Sequence, residues 1–171
     1  MIKTVLRVGD IISALDGIPD RLSLQKTVYL LEKMGLGVGC KYKWYTLGPY
    51  SSDLAGEMFE GLSTGVLCAK DEGYTDFTVG KTYHKLREKI PPEFTDSTPQ
   101  IKKLKEVLGE SLKEPTILEC TASLLYLLQD RWPPVQSKEE AFKELERLKP
   151  DRFNTSAKLK AWQCLHDLQL A

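Results

Sequence analysis

Apolar residues recur along this chain at intervals of three and four, and the rhythm changes wherever glycine and proline fall. Val5, Val8, Ile12 and Leu15 are spaced for one face of a helix over residues 3–15, with Lys3, Arg7, Asp10 and Ser13 off that face. Gly17-Ile18-Pro19-Asp20 stops it. A second helix is predicted from Ser23 to Met34 on Leu24, Val28 and Leu31, closed by Gly35. The aromatic run Tyr42-Lys43-Trp44-Tyr45-Thr46-Leu47 reads as one short strand, sending Trp44 to one face and Tyr45 and Leu47 to the other. Gly48-Pro49 is expected to break that strand, and Ser51 or Ser52 to cap a third helix with Leu54, Met58 and Leu62 inward. Residues 66–70 and 74–79 flank the polar turn Asp71-Glu72-Gly73 as a β-hairpin, and Lys81 to Ile90 returns to helix.

Beyond Pro91-Pro92 the pattern is helical throughout. Thr98 and Pro99 open a helix carrying Ile101, Leu104, Leu108 and Leu112. Thr116-Ile117-Leu118-Glu119 has the form of a capping box and leads into Leu118, Thr121, Leu124, Leu125 and Leu128, the most apolar of the helices. Ser137-Lys138-Glu139-Glu140 is a second such box before Ala141, Leu145 and Leu148. Asn154 caps a last helix with Leu159, Trp162 and Leu165 expected inward. The fold class is therefore mainly α with a small β element. The order helix, helix, strand, helix, hairpin predicts a winged-helix-like half, residues 1–90, packed on a helical bundle, residues 99–171. The two lobes make one domain over 1–171, with Pro91 to Thr98 as the connecting linker.

Charge narrows the function classes. The chain of 171 residues has 24 basic and 24 acidic side chains, and the halves balance separately, 12 against 11 through Ile90 and 12 against 13 after it. That balance gives no general affinity for a polyanion. The longest apolar runs fall far short of the ~20 residues that span a bilayer, and the charged N-terminal decapeptide does not read as a signal peptide. A cytoplasmic location is expected.

The chemistry-bearing residues are few. In a winged helix the segment after Pro49 would enter the major groove, where Arg, Lys, Asn or Gln must read base edges. Between Lys43 and Lys70 none of these occurs. Asp53, Glu57 and Glu60 stand there instead, and carboxylates repel phosphates. This flank is expected to meet polypeptide, with Tyr45, Tyr50 and Ser51 beside it, because amphipathic rings dominate such contacts. The competing expectation is that the rings of Tyr42, Trp44, Tyr45 and Tyr50 all fill the junction between the two halves. The alternative nucleic-acid surface is Lys81, Lys85, Arg87 and Lys89. His84 and His166 lie in no ligand or catalytic spacing, and no phosphate loop, nucleophile elbow or dinucleotide fingerprint is present. Cys40, Cys68, Cys120 and Cys164 form no CxxC pair, and the last three sit in apolar stretches where burial is expected. No enzyme activity, cofactor or metal is expected.

Two segments together resemble a known family. Leu24-Gln25-Lys26-Thr27-Val28-Tyr29-Leu30-Leu31, followed by Tyr45-Thr46-Leu47-Gly48-Pro49-Tyr50-Ser51-Ser52-Asp53-Leu54, resembles the paired signature of YwgA-type proteins, relatives of the Panacea (SocA-like) domain. Lys149-Pro150-Asp151-Arg152-Phe153 resembles the family's ending. Leu47 stands where such proteins commonly have Tyr. The resemblance implies a non-enzymatic helical domain that binds a protein partner, either a toxin, as an antitoxin does, or a regulatory protein.

Overall fold

The computed structural model describes residues 2–171, and over them the chain is mainly α-helical with a small β part. The helices are α1 (Ile2–Ala14), α2 (Arg21–Lys33), α3 (Ser52–Thr64), α4 (Lys81–Lys89), α5 (Pro99–Leu108), α6 (Pro115–Gln129), α7 (Lys138–Leu148) and α8 (Thr155–Asp167), with a short 3-10 helix, Gly109–Lys113, after α5. The strands form two separate antiparallel hairpins, β1 (Lys43–Tyr45) with β2 (Gly48–Tyr50) and β3 (Leu67–Cys68) with β4 (Thr78–Val79).

Helix starts follow the capping chemistry at some sites and depart from it at others. Asp20, Ser51, Ser137 and Asn154 each accept a hydrogen bond from a backbone N–H three residues on, at 2.7–3.1 Å. The Thr116–Glu119 box does not form: Pro115 opens α6, no side chain caps it, and Glu119 turns inward to an ion pair. At α5 the Thr98 hydroxyl accepts from Thr95 N instead of capping.

Gly48-Pro49 does not end the aromatic strand. It forms β2, folded back through the two-residue turn Thr46-Leu47, so that Lys43 lies opposite Tyr50 and Tyr45 opposite Gly48. Gly48 has φ +87°, and a Cβ there would overlap the Ser123 hydroxyl of α6. Glycine is required at this position on both grounds. The second hairpin follows α3, as a wing would, and the first is an addition between α2 and α3.

α6 is the axis of the fold. Ile117 through Leu125 are all buried, and the helix touches α2, α7, α8 and β2. One continuous apolar core joins Val8, Ile11 and Leu30 of the first half to Leu104, Leu124 and Leu165 of the second. Each such fully buried side chain contributes about 1.5–3 kcal/mol. In α8 the inward face is Ala157, Ala161, Cys164 and Leu165, whereas Leu159 is exposed. Small residues on that face let α8 lie close against α6.

The stretch Pro91 to Thr98 is pinned rather than loose. Asp10, 1% exposed, accepts from Glu93 N at 2.9 Å and Phe94 N at 3.3 Å. Its two oxygens also take the Tyr83 hydroxyl at 2.7 Å and the Arg87 guanidinium at 2.9 and 2.6 Å. A carboxylate filled by five donors tolerates burial that would otherwise be prohibitive.

Candidate functional site

The sequence residues singled out as a partner surface divide between two flanks of α3. Successive helical positions rotate by 100°. Glu57 and Phe59 therefore project about 160° apart. Asp53, Glu57 and Glu60 occupy one side, toward Cys40 and Lys41. Asp53 accepts weakly from Lys41 N at 3.4 Å. Glu57 Oε2 is buried without a hydrogen-bond partner among the described residues, and burial, with Glu60 beside it, pushes its carboxyl up. Tyr45 and Tyr50 belong to the other side. The structure does not join these six residues into one surface.

The side that carries Tyr50 holds a groove of about 280 Å³ between α2 and α3, overhung by the first hairpin. Leu54 and Met58 form its floor, Leu22 and Phe59 its walls, and Leu47 and Tyr50 its lip. Three large apolar side chains at or near this mouth stay in solvent: Tyr45 is 53% exposed, Leu47 44% and Phe59 46%. The Tyr45 and Tyr50 rings tilt together with centroids 5.2 Å apart. Phe59 meets the edge of Tyr74 at 5.4 Å, and the Arg21 guanidinium lies 5.8 Å over the same Tyr74 ring. Leu22, Leu47 and Phe59 escaped the sequence reading. The available signal was that Leu47 and Phe59 are apolar at positions where the pattern asks for polar residues, a turn and a non-inward helix face.

The hairpin lip is held rigidly by the residues of the Leu-Gln-Lys segment. Gln25, buried in α2, donates from Nε2 to Ser51 O at 2.9 Å and accepts from Ser51 N at 2.8 Å. Lys26, 2% exposed, donates from Nζ to Pro49 O at 2.7 Å. Behind the hairpin, the Lys149 ammonium sits 5.3 Å over the Trp44 ring and 2.6 Å from Glu119, which also accepts from Arg152 at 2.7 Å. Lys26 thus feels the Lys149 ammonium and the Glu119 carboxylate together. Burial above all, then Lys149, lowers its ammonium to about 7 against a partial offset from Glu119. Burial also lowers Lys149, against the opposing pull of Glu119. The three sequence segments of the resemblance therefore meet at one place, and Ser51 serves there as helix cap and anchor, buried and unable to touch a partner. Trp44 packs at 5.5 Å on Tyr126 of α6, joining the first half of the chain to the second.

The basic helix is not a uniform cationic face. Lys81, Lys85 and Lys89 are exposed on α4, but Arg87 points the other way into the Asp10 cluster with 8% of its side chain exposed. It also donates to Pro91 O at 2.9 Å. Arg87 is withdrawn from any phosphate. His84 and His166 are both exposed and neither lines the groove. Cys68 is exposed on β3, contrary to the expected burial; Cys40, Cys120 and Cys164 are buried, and burial pushes the thiols of Cys40 and Cys120 up to about 12. Thiols at that level are poor nucleophiles at neutral pH.

Fold and site together define a small, mainly helical domain that presents an apolar groove on a rigid frame. No protein-family model matches the sequence, and neither does any curated protein. Among the described residues, no helix is long and apolar enough to cross a membrane.

Proposed function

We propose that this chain is a non-enzymatic protein-interaction domain that receives a protein partner in the α2–α3 groove. The observation that carries the reading is the group Tyr45, Leu47 and Phe59, large apolar side chains left in solvent around a cleft whose frame is fixed by the Gln25 and Lys26 hydrogen bonds. Exposed apolar patches of this kind mark interaction surfaces, and aromatic anchors beside a preformed pocket are where binding energy concentrates. The likeness of the two signature segments to YwgA-type and Panacea proteins supports an antitoxin-like or regulatory role. A cytoplasmic setting accords with this proposal. Nucleic-acid binding through α4 is the weaker reading, since Arg87 is spent on Asp10 and α3 carries no cation.

Affinity purification from the native host with wild type, Leu47→Asp/Phe59→Asp and Asp53→Lys/Glu60→Lys variants tests the proposal. A partner kept by the acidic-flank variant and lost by the groove variant is the expected result. Retention of every partner by a folded groove variant would overturn it.

A further inference from the structure

We infer that the groove selects an acidic, apolar segment of its protein partner, an inference that rests on the interaction reading above and names the chemistry of what binds. No acidic side chain lines the cleft. Arg21 lines one end. Lys43 stands directly across the hairpin from Tyr50, and side chains of directly opposed residues share a face of the ribbon. Both are exposed, and neither has an ion-pair partner among the described residues. Lys26 also lines the groove but is buried with its ammonium on Pro49 O, so the rim's charge rests on Arg21 and Lys43. The acids of α3 are turned to its opposite flank.

A chain with zero net charge thus presents a locally cationic rim around an apolar floor. Bare polyanions are poorly suited to it, because phosphates carry nothing to fill the space over Leu54 and Met58 and between Leu22 and Phe59. A purely apolar segment would leave the rim uncompensated. A segment with Leu, Ile, Phe or Trp on one face and Asp or Glu at its margins satisfies both, gaining burial from the first and complementarity from the second. The surface that meets polypeptide is then the basic one, and the carboxylate flank of α3 lies outside it.

The probe is a phage-displayed library of random dodecapeptides panned on the full chain, with the winning peptides resynthesised, labelled and titrated by fluorescence anisotropy. Enrichment of acidic residues beside large apolar ones is expected. Arg21→Glu and Lys43→Glu should each weaken the winner about threefold, and the double reversal about tenfold. Panning on the double reversal should shift selection toward Lys and Arg. Winners that bind the charge reversals as tightly as wild type, yet are lost on Phe59→Asp, would overturn the inferred chemistry and leave the groove standing. No enrichment, or winners indifferent to Leu47→Asp and Phe59→Asp or displaced equally by duplex DNA, would overturn both.

Discussion

Gln25 and Ser51 hold each other through two hydrogen bonds, the side-chain amide of one against the backbone N–H and C=O of the other, at 2.8 and 2.9 Å in a fully buried setting. The amide occupies the place of a neighbouring strand against the residue that follows β2, beside the Lys26 bond to Pro49 O. Ser51 also caps α3, so one contact fixes the hairpin, the start of the helix and the lip of the groove together.

Replacing Gln25 with Leu leaves the Ser51 N–H buried and unpaired, whereas Ser51 O keeps its bond from Ala55 N at 3.1 Å. A loss of about 1–3 kcal/mol is expected by urea denaturation. Hydrogen exchange should locate the loosening at residues 43–51, with α8 amides unaffected. Uniform loosening would refute the local role.

Lys26 makes stability rise from neutral to alkaline pH. Its folded-state value is about 7 against an ordinary 10.5. Between these values the unfolded chain binds a proton that the folded chain does not, so stability rises with pH. The penalty is fully present below about 7 and gone above about 10.5. Lys26→Met removes this contribution, so its stability relative to wild type should fall by about 2–4 kcal/mol from pH 7 to pH 10. Paired denaturation curves read it; a constant difference would contradict it.

Arg87 and Lys85 separate the structural and nucleic-acid readings of α4. Arg87→Ala leaves Asp10 charged and buried without its guanidinium and should cost about 3–5 kcal/mol. Lys85→Ala should change stability by less than about 0.5 kcal/mol. Thermal melts at low and high salt check both.

Gly48→Ala introduces a Cβ at φ +87° against the Ser123 hydroxyl. A loss of about 2 kcal/mol or more is expected from the backbone alone. Ser123→Ala removes the oxygen that a Cβ meets first, so it should recover part of the loss and leave the backbone share. The double-mutant cycle measures that recovery, and strict additivity would show that the contact is not felt.

Local rules go far in this chain because most of its structure is helix, whose periodicity is written in neighbouring residues. The stripe Ile101, Leu104 and Leu108, the caps Ser51 and Asn154, the wing hairpin and the alternation of Trp44 with Tyr45 all follow from spacing and side-chain type over a few positions. The absence of any cation between Lys43 and Lys70 is likewise a property of the string alone. What the string could not assign was which polar residue has a distant partner. Asp10 reads as a solvated position of α1 until Arg87 and Tyr83 arrive from 77 and 73 residues away, and Glu119 reads as a cap until Lys149 comes from 30 residues on. Gly48-Pro49 reads as a break until the Lys26 ammonium supplies β2 with a partner and the Gln25 amide holds the residue that follows it. Tertiary packing alone decided these, and it alone put the groove on the flank of α3 that helical rotation leaves free of acids, because burial and charge pairing depend on neighbours in space that the order of residues does not name.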